Sequence, residues 1–217
     1  MKPLTIQNIR HYYFNKYIVT PFKKNEFPIS YCYQYQALWF RVTKVASRTI
    51  DHHLNNACDA NGYTYSTAVG YAASLYDDYY KFAFVRNPVD RFKSIFKEKV
   101  LKQNYFNFTN EQYQKRQNLK QFIDWVETID IENCDEHLML QRNMIDLNNI
   151  DFIGHFEDFT SDFLTVAKEI DLPINESDLI HRNKSPKFEV KIDDNDRGRI
   201  LEIYRKDVEL FYPHIRI

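Results

Sequence analysis

"KFAFVRNPVDRFKSIF", residues 81–96, is the stretch on which the reading of this chain turns. Its left half is a short apolar run of strand length. Its right half reads as a helix, Val89 to Leu101. Between them Arg86 ends the strand, and Asn87 and Pro88 turn the chain. Pro88 suits a first helical turn, where its missing N–H costs nothing. Arg86 can present a fork of donors to an anion. Helical side chains lean toward the helix N-terminus, so Ser94 can point its hydroxyl back at that anion. Asp90 reads as a first-turn charge suited to the dipole, and Arg91 as a packing or salt-bridge residue. The plain alternative is an ordinary strand–turn–helix connection, with an arginine bracing the loop and a serine facing its neighbours.

Upstream, "QALWFRV" (36–42) reads as a strand, "TKVASRT" (43–49) as a loop, and "IDHHLNNACDA" (50–60) as a helix. Lys44 thus stands after a strand and before a helix. Backbone N–H groups and the macrodipole favour an anion there. Ser47 and Thr49 add hydroxyls, and Lys44 adds a point charge. The phosphate-loop pattern G-x-x-x-x-G-K-[ST] is absent. The four glycines, Gly62, Gly70, Gly154 and Gly198, all lie outside this loop. The loop therefore wraps a smaller or differently presented group, or its lysine is simply solvated.

Further readings follow the same patterns. "AVGYAASLY" (68–76) is expected to be a short helix, and "NYFNFTNEQY" (104–113) a surface loop. "NLKQFIDWVETI" (118–129) is expected as an amphipathic helix. "CDEHLMLQRNMI" (134–145) is expected to be helical. "DFIGHFE" (151–157) reads as a strand, "DFTSDFLTVAKEIDL" (158–172) as a helix, and "DNDRGRILEIYRKDVELFY" (194–212) as one closing helix. Alternating strands and helices predict an α/β fold, a central parallel sheet flanked by helices. Such sheets bind ligands at the carboxyl ends of their strands, here the ends before Lys44 and at Arg86.

A length of 217 residues predicts one domain, 1–217, with residues 1–35 as an extension of unassigned role. A hydrophobic fraction of 44% supplies a core. Aromatic residues reach 16%, which predicts a core built from rings, or rings that stack on a base or sugar. The net charge of -1 argues against a general nucleic-acid binder. Cys32, Cys58 and Cys134 are odd in number and widely spaced, fitting neither a disulfide framework nor a zinc site. Reduced thiols and a reducing compartment are expected. The N-terminus has no signal-peptide core, and no run of about 18 apolar residues marks a membrane span. The expected location is cytoplasmic, unless a secretory leader has been cut away.

"TKVASRT" with "FAFVRNPVDRFKSIF" resembles the two cofactor loops of sulfotransferases. The resemblance is closest to the carbohydrate group that includes chondroitin/dermatan 4-O- and heparan uronyl 2-O-sulfotransferases. It implies a P-loop-like three-layer α/β fold. It also implies that Lys44, Val45, Ala46, Ser47, Arg48 and Thr49 hold the 5′-phosphosulfate of 3′-phosphoadenylyl sulfate. By the pattern R-[DN]-P-x-x-R-x-x-S, Arg86 and Ser94 hold its 3′-phosphate. "EHLMLQ", with His137 and Gln141, "DFIGHFEDF", "HRNKSP" (181–186) and "IYRKDVELFYP" resemble further family segments. The chain departs from the family at Ala46, where glycine is common, at Thr43, where proline is common, and at Leu138 and Leu140, in place of Trp and Pro.

The implied activity is sulfuryl transfer to a carbohydrate hydroxyl, without metal. Lys44 would neutralise charge on the bridging oxygen, by analogy with phosphoryl transfer. The acceptor needs a base, and His137, His52, His53 and Glu136 are candidates. The rivals are a P-loop-type kinase, which needs Mg²⁺ ligands and the glycine loop, a non-catalytic nucleotide- or sugar-binding protein, and an aryl or steroid acceptor. Oligomeric state is not legible.

Overall fold

The computed structural model describes residues 13, 17–18, 26–58, 62–71, 73–179 and 190–217. Most of the first 25 residues, and the segment His181–Pro186, lie outside that set. Along the chain run β1 (Glu26–Cys32), β2 (Ala37–Phe40), α1 (Ser47–Ala57), β3 (Tyr63–Gly70), β4 (Tyr80–Val85) and α2 (Pro88–Ile95). There follow α3 (Asn110–Arg116), α4 (Leu119–Val126), β5 (Phe152–His155), α5 (Phe159–Glu169), α6 (Asp194–Ile203) and α7 (Arg205–Phe211). The chain divides into two compact units. One holds residues 1–42, 46–85 and 144–184; the other holds 43–45, 86–143 and 185–217.

The first unit carries a five-stranded sheet in the order β3-β1-β2-β4-β5, flanked by helices. β2 pairs parallel with β4, and β4 with β5. Ala37, Leu38, Trp39 and Phe40 of β2, and Phe82, Ala83, Phe84 and Val85 of β4, are all buried. Continuous apolar strands of this kind belong at the covered centre of a sheet. The α/β expectation holds, but the sheet is mixed. β1 runs antiparallel to both β2 and β3. Only the 3₁₀ turn Tyr33–Tyr35 and Gln36, at φ 48°, separate β1 from β2. That is too short for a crossover, so the pair must be antiparallel.

Aromatic rings build both cores. Phe84, Phe159 and Phe163 pack together in the first unit, with Phe159 and Phe163 stacked at 5.4 Å. Gly154 of β5 lies under Phe84, where a Cβ would stand 2.5 Å from the ring edge. In the second unit Phe92, Phe96, Phe106, Phe108, Phe122 and Trp125 cluster with Tyr204.

The 68–76 segment is not a helix. It ends β3 and then makes a 3₁₀ turn, Ala73–Tyr76, because Tyr63, Thr64, Tyr65, Thr67 and Val69 favour a strand. Helix α3 begins inside the expected surface loop, set by a capping box between Thr109 and Gln112. The 134–145 segment is turns plus a 3₁₀ turn, Gln141–Met144. Asp135 takes the His137 N–H at 2.9 Å, and the Asp207 carboxylate takes the N–H groups of Gln141 and Arg142 at 2.8 and 3.0 Å. Side-chain acceptors thus replace the helical carbonyls. The closing helix is broken into α6 and α7 at Tyr204, whose buried hydroxyl donates to Leu138 O at 2.9 Å. Among the described residues no helix is long and apolar enough to cross a membrane.

Candidate active site

The parallel register Phe40↔Ala83 sets the carboxyl ends of β2 and β4 side by side. The loop after β2 makes its turn without glycine. Lys44 and Ala46 both take left-handed backbone, φ 71° and 65°. Ala46 caps α1 but supplies no side-chain acceptor, and the first turn of α1 has no acidic residue. The helix therefore starts with N–H groups that lack intrahelical acceptors and with no built-in anion. Thr49 N–H is already taken: it donates to the Ala46 carbonyl at 2.8 Å. The Ser47 hydroxyl donates to Val42 O at 3.1 Å; Thr49 is buried and Arg48 exposed. Arg41 forks onto Asp51 and lies over the Trp39 ring at 4.5 Å, anchoring α1 beside β2.

The second unit brings Lys44 and Arg86 together. Arg86 Nη1 donates to Lys44 O at 3.2 Å. The Arg86 backbone is held on both sides by Gln141: its N–H donates to Gln141 Oε1, and Gln141 Nε2 donates to its carbonyl, each at 2.9 Å. Gln141 is in turn seated on Asp207, which is completely buried. Burial pushes the Asp207 carboxyl upward, against the backbone N–H bonds that oppose the shift. Gln141 thus acts as a substitute strand neighbour for Arg86. Arg91 is buried and clamps two segments: it donates to Thr43 O, Thr43 Oγ1, Glu136 O and Met139 O, all within 3.0–3.2 Å. Asn87 caps α2, accepting from Val89 and Asp90 N–H, and Pro88 occupies its first turn. Ser94, on α2, is half-buried and makes no hydrogen bond among the described residues.

After α2 the chain continues as a π-helical turn, Phe96–Leu101. Glu98 on this turn reaches Lys44, Oε2 to Nζ 2.5 Å. Burial, then the charge of Lys44, holds the neighbouring Lys99 below the usual lysine range. Lys99 Nζ lies 3.7 Å over the Tyr105 ring, whose centroid stands 4.9 Å from that of the His137 ring in a T-shaped pair. His137 Nδ1 stands 2.9 Å from Asp135 Oδ1, and Tyr105 OH donates to Asp135 Oδ2 at 3.2 Å. Burial pushes the Asp135 carboxyl upward, but the hydrogen bonds from the His137 ring, His137 N–H and Tyr105 outweigh it. Asp135 sits below its ordinary range.

Lys44, Val45, Arg86, Ser94 and His137 therefore fall in one unit, and Ala46 to Thr49 in the other. The remaining histidine candidates lie in the first unit. His53 is buried against Phe163, and His52 bonds Asn56. Sequence reasoning misses Glu98, Lys99, Asp135 and Asp207; Gln141 is expected beside His137 and Arg91 in packing or a salt bridge, and the structure gives each of these two other partners. Glu98 had a signal, since it follows Ser94 by one helical turn. Asp207 had none. No group of three or more His, Cys, Asp or Glu side chains placed to hold a metal is found among the described residues.

A family model described as the sulfotransferase family matches residues 28–213. Comparison with curated proteins and with solved structures finds no match.

Proposed function

The chain belongs to the sulfotransferase family, and on that premise we propose that it moves a sulfuryl group from 3′-phosphoadenylyl sulfate to a carbohydrate hydroxyl, without metal. The observation that carries the reading is the hydrogen bond from the Arg86 guanidinium to the Lys44 main-chain carbonyl, which ties together the two loops that follow neighbouring parallel strands. A donor of this class has two separate anionic groups to be met. The residues fit it: α1 starts with no acid and no side-chain cap, and the Ser94 hydroxyl is uncommitted among the described residues.

Residues 44–49 hold the 5′ end, through backbone N–H groups and Lys44. Arg86 and Ser94 hold the 3′-phosphate. When bound, the donor supplies an activated sulfuryl group on a phosphate that already tolerates charge. Lys44 neutralises negative charge at the bridging oxygen as it develops. His137 takes the acceptor proton at Nε2. With Nδ1–H donated to Asp135, Nε2 keeps its lone pair, so Asp135 fixes the tautomer a base requires. The carbohydrate class rests on the resemblance of the two loops to carbohydrate sulfotransferases.

The test is transfer of radiolabelled sulfate from the donor, in EDTA, to a panel of glycans, phenols and steroids. Label on a glycan supports the reading. Label on a phenol or steroid alone removes the carbohydrate acceptor. Nucleotide binding with no transfer to any acceptor points to a non-catalytic protein, and binding that needs Mg²⁺ points to a kinase.

A further inference from the structure

Cys32 ends β1 and Cys58 follows the last residue of α1. They are 26 residues apart in sequence, yet their sulfurs stand 3.2 Å apart. The contact is part of a fixed corner. Tyr35, in the turn after β1, donates its hydroxyl to Ala57 O at 3.1 Å, the carbonyl just before Cys58. Cys32 is buried and Cys58 half-buried. A disulfide has sulfurs about 2.0 Å apart, so closure asks for an approach of roughly 1 Å.

We propose that Cys32 and Cys58 form a reversible intramolecular disulfide, a modification site that ties β1 to the end of α1. The oxidant is a small disulfide. The thiolate of Cys58, the more accessible of the two, attacks one oxidant sulfur, breaks its S–S bond and releases one thiolate. Cys32 then loses its proton, attacks the Cys58 sulfur of the mixed disulfide and releases the second thiolate. Two protein thiols and one oxidant disulfide become one protein disulfide and two free thiols. Two electrons pass to the oxidant. The Cys58 contact and burial hold the Cys32 thiol well above the usual range, which keeps it protonated until the mixed disulfide forms beside it. Cys134 belongs to the other unit, with its sulfur directed at the carbonyls of Ile131 and Asp135. The sequence spacing had argued against any pairing; the antiparallel return of β1 beside β2 and the length of α1 create it.

The experiment equilibrates the full native chain in glutathione buffers of graded ratio. Remaining thiols are then trapped with N-ethylmaleimide, and adducts are located by intact mass and peptide mapping. The expected result is joint loss of the Cys32 and Cys58 adducts at one midpoint, with Cys134 still alkylated. The melting temperature should rise in the oxidised form and return on reduction with dithiothreitol. Cys134→Ser should behave as the parent, and the parent unfolded in guanidinium should lose the selectivity. Three alkylated thiols in the most oxidising buffer, glutathione left on Cys58, or a bridge to Cys134 or to a second chain would each overturn the proposal.

Discussion

Glu98 and Lys44 are joined carboxylate to ammonium, at 2.5 Å, with the Lys44 side chain 12% exposed and Glu98 32%. An arriving anion at the loop must therefore share Lys44 with a resident one. Glu98→Gln should tighten 3′-phosphoadenosine 5′-phosphate by about 2- to 5-fold, since a partly exposed pair is worth up to about 1 kcal/mol. The gain should shrink at high salt. Lys44→Ala should lower turnover by about two to three orders of magnitude, with a smaller effect on binding of this desulfated product. Calorimetry and steady-state rates separate the two. Unchanged affinity in Glu98→Gln would show that the pair does not oppose the nucleotide.

Arg86 and Ser94 are assigned to the 3′-phosphate, and AMP lacks that group. A charge-assisted hydrogen bond is worth about 1.5–3 kcal/mol. Arg86→Ala should weaken 3′-phosphoadenosine 5′-phosphate by about 10- to 100-fold and AMP hardly at all. Ser94→Ala should act in the same direction, more weakly. Equal losses for the two nucleotides would take the 3′-phosphate away from this loop.

His137→Ala should cost about 10²- to 10⁴-fold in turnover and leave nucleotide affinity intact. Asp135→Asn adds a stability signature. The folded carboxyl is held below its unfolded value, so its contribution is present above about pH 4 and is lost as pH falls through the folded value. The melting-temperature gap between parent and Asp135→Asn should be widest near neutrality and close in acid. A gap that widened in acid would reverse the assigned direction.

Ala46 holds left-handed backbone at φ 65°. That costs a side-chain-bearing residue about 1–2 kcal/mol, partly offset by the greater unfolded freedom of glycine, about 0.5–1 kcal/mol. Ala46→Gly should raise stability by up to about 1 kcal/mol, or about 2–4 °C in a chain of this size. A loss of stability in differential scanning calorimetry would mean that the methyl group has a packing role.

What the sequence displayed was whatever depends on near neighbours. The runs 37–40 and 82–85 are apolar at every position, and both are buried in strands. Asn87-Pro88 announced α2, and Lys44 and Arg86 were legible because each follows such a run. What was hidden depends on distant partners. Gln141 became an irregular segment because Asp207, 66 residues away, takes its N–H. The Cys32–Cys58 contact needed the antiparallel return of β1, which no local pattern states. Arg91 was read as packing or ion pairing, whereas its partners are backbone carbonyls and a hydroxyl that come together only in the fold.

Gly154 and Phe84 impose a direction on change. The phenyl ring is hemmed by Phe159 and Phe163, so it cannot swing aside when a methyl group is placed 2.5 Å from its edge. Alanine at 154 is therefore a fault while the ring is present and a filler once the ring has been trimmed to leucine or valine. The same two substitutions pass through a crowded sheet in one order and through a small void in the other. Trimming the ring first avoids the crowded intermediate and meets the cost of a void instead.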